Sequence, residues 1–431
     1  MASKILIKDA VIITMNEEDR IYSPGEILIE NDLIKSVGSR VGEVPGNATV
    51  INGSGKVVIP GLINIHNHAA MSLFRSYADD YPLMVWLEQK IFPAEAKLTP
   101  EDVYWGASLA LLEMIRGGTT TYVDMYFFMD QTARACQESG MRAVLSQVFI
   151  GDNAVDGFNS LQDAIGFAER WPDRTDCRVS AILGPHAPYT CSPDFLKTVL
   201  RETESTGTPL HIHLSESRHE VQQSLETYKK TPVALMKEIG LFERDVLAAH
   251  CVHVTDEDID ILVANRVGIA HNPGSNLKLG NGVAPLKKMI DSKALVGLGT
   301  DGPASNNNLD MFEEIRLAGL LQKGICEDPT FVTAGQALAL GTRGGAEALK
   351  KDNIGVIREG ARADLAIVDF MRPHLQPHND AVANLVYSAG AGDVETVIVD
   401  GKVLYDRGEF LTLDREKIYF EVKQRAKRLR G

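Results

Sequence analysis

Six residues stand out for the chemistry they could do together: His66, His68, His213, Glu216, His250 and Asp301. His66 and His68 lie in LINIHNH, His213 and Glu216 in PLHIHLSE, His250 in VLAAHCV, and Asp301 in ALVGLGTD. Each segment is a short apolar run that ends in a polar group. Side chains alternate faces along a strand, so His66 and His68 point the same way. Two imidazoles from one strand, a third from elsewhere and a carboxylate would enclose a divalent metal. Nitrogen and oxygen donors with one open position suit a catalytic zinc. The alternation leaves one choice open, because His211 shares a face with His213 and is an equal candidate for the third imidazole. His219, His253 and His271 read as ordinary polar residues. A lone His-x-His is a weak signal. Four positions at the same end of different strands carry more weight, since each such group is costly to bury without a partner.

These residues need a scaffold that brings strand ends together. Eight runs read as barrel strands: 62–68, 120–125, 142–149, 178–187, 209–216, 246–252, 267–273 and 294–301. Amphipathic stretches separate them, as in SPDFLKTVLRETEST, where Ser192 is placed to cap a helix that starts at Pro193. Alternating β and α units of this length predict a (β/α)₈ barrel, whose active site lies at the C-terminal ends of its strands. A doubly wound open sheet is the structural rival, but no GxGxxG follows the first strand. Short alternating strands separated by turn residues recur at both chain ends. The expected division is a β-sandwich domain from residues 1–58 plus 358–431, beside a hydrolase barrel over 59–357.

Composition narrows the partners. The 431 residues carry a net charge of −14, which opposes a nucleic-acid or anionic-membrane partner and favours a small-molecule substrate. Five scattered cysteines without a CxxC pair suit a reducing compartment. The first residues lack a long apolar stretch, so no signal peptide is read there, and no run approaches a membrane span. A cytoplasmic protein is expected, and a homo-oligomer is compatible with all of this.

VVIPGLINIHNHAAMS, HLSE, AHCVH, HNPGSNLKLGNG, GTDGPASNNN and the closing IREGARADLAIVD together resemble the amidohydrolase superfamily. Within it, the chain is similar to the 5′-methylthioadenosine/S-adenosylhomocysteine deaminases over nearly its whole length. The resemblance implies one zinc held by His66, His68, His213 and Asp301, with Glu216 as proton shuttle and His250 beside the hydrolytic water. It places Trp86 against the nucleoside, Glu95 and His186 on the ribose, and Ser305 at the purine. The implied reaction is hydrolytic deamination of an adenine nucleoside. Zinc lowers the pKa of a water from ~15.7 toward ~7, protonated Glu216 donates to the purine N1, and Asp301 takes the water's proton on its second oxygen. Where the family pattern has an arginine for the substrate's amino-acid carboxylate, this chain reads SQVFIGDN with Gln147. A neutral amide cannot replace a guanidinium, so weak use of S-adenosylhomocysteine is expected. Guanine-type or cytosine-type deamination and triazine hydrolysis would use the same metal site. An inactive scaffold is the rival from another class.

Overall fold

The structure, a computed structural model, describes residues 3–42, 46–151, 160–172 and 177–430. The chain opens with β1 (Lys4–Ile13), β2 (Ile21–Glu30), β3 (Leu33–Gly38), β4 (Thr49–Asn52) and β5 (Lys56–Pro60). Next come β6 (Leu62–Asn67), β7 (Thr119–Tyr126), β8 (Arg142–Phe149) and β9 (Val179–Pro185). They are followed by β10 (Leu210–Leu214), β11 (Val246–His250), β12 (Gly268–His271) and β13 (Leu295–Leu298). The last four are β14 (Leu365–Asp369), β15 (Val394–Val399), β16 (Lys402–Asp406) and β17 (Glu409–Phe410).

Strands β6 to β13 pair in sequence order, and every pairing is parallel. All eight runs read as barrel strands from the sequence are therefore barrel strands. The reason is physical: β6 to β12 are buried along their whole length, and a strand covered on both faces must be apolar nearly throughout. The barrel closes between its last and first strands. The Asp301 N–H donates to the His66 carbonyl at 3.0 Å, and Asn64 bonds both the N–H and the hydroxyl of Thr300, at 3.1 and 2.7 Å. A Cβ at Gly299 would lie 2.8 Å from the His66 backbone nitrogen, so only glycine permits this approach.

Between strands run amphipathic helices. Pro193–Glu202 begins as expected, with the Ser192 hydroxyl accepting from the Phe195 N–H, and it buries Phe195, Leu196 and Val199. The two chain ends join in one mixed sheet of nine strands, ordered β17-β16-β15-β14-β5-β1-β2-β3 with β4 beside β1. Its core includes Ile7, Ile12, Ile27, Ile29, Leu365 and Ile398. The buried Arg142 guanidinium, at the start of β8, pairs with Asp364 at 2.8 Å and with Asp400, tying this sheet to the barrel.

Candidate active site

The barrel strands end in sharp turns. Ser215, His250, Cys251 and Asp301 all have φ between 47° and 75°. A non-glycine residue in this left-handed region costs about 1–3 kcal/mol, a strain that collects at functional sites. Here the turns stand just past β10, at the end of β11 and just past β13, beside the residues singled out for chemistry.

Three imidazoles have their Nδ1 atoms engaged by the protein. His68 Nδ1 donates to the Met125 carbonyl at 2.6 Å, and His213 Nδ1 to the His186 carbonyl at 2.8 Å. His66 is fixed through a relay. The Ser146 hydroxyl donates to the Asp124 carbonyl, so it accepts from His211 Nδ1 at 3.0 Å. His211 Nε2 is then an acceptor, and His66 Nδ1 donates to it at 2.9 Å. All three histidines are left with an Nε2 lone pair. These Nε2 atoms converge with Asp301: His66 lies 3.3 Å and His68 3.1 Å from Asp301 Oδ1, and His213 lies 3.3 Å from His68. His66 Nε2 is buried with no hydrogen-bond partner.

Inward-facing lone pairs beside a carboxylate repel one another unless a cation lies among them, and this donor set fits a divalent metal. Burial lowers His66 to about 4 and takes His213 well below its ordinary value, so both are neutral, as ligation requires. Burial also pulls on His68, but the Asp301 carboxylate outweighs it and holds His68 up to about 9, so a metal bound here would displace a proton from its Nε2. The same contacts outweigh burial at Asp301 and take it well below the usual carboxylate range. This spot attracts positive charge. His66 Nδ1 is engaged by His211, which places His211 behind the cluster rather than in it.

Above this floor, a cavity opens at the C-terminal mouth of the barrel. His68, His213, Glu216, His250 and Asp301 line its base, and Trp86, Glu95, His186 and Ser305 line its walls. His66 lies directly beneath, so the structure brings every sequence-nominated site residue to one place. His250 Nδ1 is 2.9 Å from Asn276 Oδ1, which leaves Nε2 toward Glu216 Oε1 at 3.9 Å. Asn281 donates to Glu216 Oε1 at 2.9 Å, and burial raises the Glu216 carboxyl above its ordinary value. Burial takes Glu95 up to about 7, and Tyr126 donates to its Oε1 at 2.6 Å. The Trp86 indole N–H is buried without a partner.

Two details differ from the sequence reading. Asp301 Oδ2 accepts from Ser275 at 2.6 Å and from Ser305 at 2.9 Å, so it is engaged by two hydroxyls rather than left free for a water proton. The Ser305 hydroxyl is correspondingly turned to Asp301. Gln147 does not face the cavity. Ser146 faces the barrel interior, so its neighbour Gln147 faces the other way, where its carbonyl accepts the Met129 N–H at 3.0 Å and caps a helix. Val148 and Ile150 line the cavity instead, and Asp152 and Asn153 lie outside the described residues. Gln147→Arg is therefore expected to cost about 1–3 kcal/mol, read as a lower Tm, by leaving that N–H without its acceptor. Preference between substrates should not change, and a shift toward carboxylate-bearing tails would contradict this placement.

Sequence reasoning passed over Tyr126, Ser146, Ser275, Asn276 and Asn281. Ser275, Asn276 and Asn281 lie in HNPGSNLKLGNG, whose polar residues read locally as turn formers.

The family model for the amidohydrolase family matches residues 57–404. The chain is 49% identical over 430 residues to the 5-methylthioadenosine/S-adenosylhomocysteine deaminase of Pelotomaculum thermopropionicum, covering 99% of each chain. It is 51% identical over 423 residues to the enzyme of the same name from Dictyoglomus thermophilum, covering 98% of each. Among solved structures it is similar to a zinc-bound adenosine deaminase from Xanthomonas campestris. The TM-score is 0.94 and the identity 34%, with 99% of each chain covered.

Proposed function

This chain belongs to the amidohydrolase family, and on that premise we propose that it hydrolytically deaminates an adenine nucleoside, 5′-methylthioadenosine or a close analogue, to the inosine analogue and ammonia. One observation carries the reading: three imidazole lone pairs and a carboxylate oxygen converge beneath a cavity that also holds two buried glutamates. His66, His68, His213 and Asp301 hold a single divalent ion. Zinc is favoured by nitrogen and oxygen donors and by the zinc in the related adenosine deaminase. When bound, the ion supplies the Lewis acidity that turns water into a nucleophile at neutral pH.

The chain's own groups do the rest. Glu216, whose carboxyl burial raises above its ordinary value, donates to the purine N1 and makes C6 electron-poor. His250 Nε2, on the same side, stabilises the oxygen that adds to C6. Ser275 and Ser305 fix Asp301 Oδ2, so Oδ1 faces the histidines. Asp301 acts as an oriented ligand, and Glu216 carries the protons: having given one to N1, it takes one from the attacking water and passes it to the amino group. The C6–N bond then breaks to release ammonia, and the proton left on the C6 oxygen returns to Glu216. Glu95 accepts from the ribose diol, Trp86 packs on the nucleoside, and His186 closes the ribose side. Among the described cavity-lining residues there is no lysine or arginine, and Val148 and Ile150 give an apolar wall. Tails without a charge fit that wall best, with methylthioadenosine ahead of S-adenosylhomocysteine. Cys136, Cys191, Cys251 and Cys326 form no disulfide, which suits a reducing, cytoplasmic setting. No described helix is long and apolar enough to cross a membrane.

Ammonia release across a panel of adenine nucleosides and free bases tests the reading. Nucleosides should be used well, and free adenine or guanine poorly. Losing a hydrogen bond to a charged group costs ~1.5–3 kcal/mol, so Glu95→Ala should lower nucleoside kcat/KM about ten- to a hundredfold. A wild type that prefers free bases, or a Glu95→Ala enzyme of full efficiency, would remove the nucleoside assignment.

A further inference from the structure

Glu220 is buried in the first turn of the helix Arg218–Tyr228, does not line the active-site cavity, and has no part in the chemistry above. Both of its carboxylate oxygens are engaged by the turn that presents Glu216. Oε1 accepts from the Ser215 N–H and Oε2 from the Glu216 N–H, each at 2.8 Å. Ser215 has φ 51°, and its own hydroxyl is buried without a partner, so its side chain does nothing to hold the turn. The Ser215 carbonyl is held separately, by the His253 N–H at 2.9 Å. Past the turn, the Glu216 carboxyl has one side-chain hydrogen bond, from Asn281.

Burial opposes the negative charge on Glu220, while the Ser215 and Glu216 N–H groups stabilise it. A glutamine would fill the space without that penalty, but it has one acceptor oxygen for two N–H groups. The pair of amides explains why a carboxylate stands here. We infer that Glu220 is a positioning residue for the deamination: by gripping two consecutive amides, it sets the direction from which Glu216 meets the purine. The inference rests on the reading of Glu216 as proton carrier.

The test is a double-mutant cycle on the full-length, metal-loaded enzyme with Glu220→Gln, Glu216→Gln and both together. Glu220→Gln should keep its metal, hold KM within about twofold and lower kcat about tenfold or more. Added to Glu216→Gln, it should slow turnover by less than about twofold, because residues that act as one unit are not additive. Losses that multiply, or an unchanged kcat in Glu220→Gln, would overturn the inference while leaving Glu216 in its role. Full turnover in Glu216→Gln alone would remove the reading of Glu216 and this inference with it. If Glu220→Gln does not fold or hold metal, Glu220→Asp, which withdraws the charge by one methylene, takes its place in the cycle. Loss of metal in both variants would make Glu220 a structural residue and overturn the proposal.

Discussion

Asp301→Ala protein is expected to retain little or no divalent metal and to turn over about 10³-fold more slowly than wild type, or worse. Asp301 is the only anion in the four-residue set, and the contacts of its Oδ1 with His66 and His68 draw positive charge to the site. Without it, three neutral imidazoles balance a divalent cation poorly. The Lewis acidity lost with the ion amounts to several kcal/mol of transition-state stabilisation, and ~1.36 kcal/mol is tenfold in rate. Elemental analysis of wild type should give about one metal per chain, and Asp301→Ala well under a tenth of that. Two metals in wild type, or a full complement in the variant, would break the mononuclear assignment.

Glu216→Gln should behave differently, keeping its metal while kcat falls ~10²- to 10⁴-fold. Glutamine preserves the acceptor for Asn281 and the shape of the side chain, but it cannot pass a proton. The pH dependence has a definite sign. Burial raises the Glu216 carboxyl, so the proton-donating form persists above the ordinary carboxylate range, and kcat declines as pH rises through the raised value. That limb should vanish in the glutamine variant. Loss of metal along with activity would make Glu216 a ligand, and an unchanged profile would remove it from the proton path.

These effects follow from residues that were unevenly legible in the sequence. The eight barrel strands could be read because strands buried on both faces must be apolar runs, and the His66/His68 pair because alternation fixes their common face. His211 and His213 could not be separated in that way, since alternation gives them one face as well. They differ in depth along β10, by two residues or roughly 6–7 Å. His211, the deeper of the two, meets His66 Nδ1 instead of the cluster. Gln147 failed on parity, since a shift of one residue on a strand exchanges cavity for helix packing. Ser275, Asn281 and Glu220 act through contacts made in the fold: Ser275 on Asp301, Asn281 on Glu216, and Glu220 on a backbone turn. Nothing local in a serine, an asparagine or a helix-start glutamate announces such a partner. The left-handed backbone at His250 and Asp301 is equally silent, since neither residue type requires it.

The most direct test of the central claim is product formation from 5′-methylthioadenosine by the purified chain, before and after its metal is removed with a chelator and then restored. The account predicts one ammonia and one 5′-methylthioinosine per substrate consumed. Activity should be lost on stripping and recovered with about one equivalent of zinc per chain. Undiminished turnover by metal-free protein, or no ammonia from any adenine nucleoside with zinc bound, would contradict it.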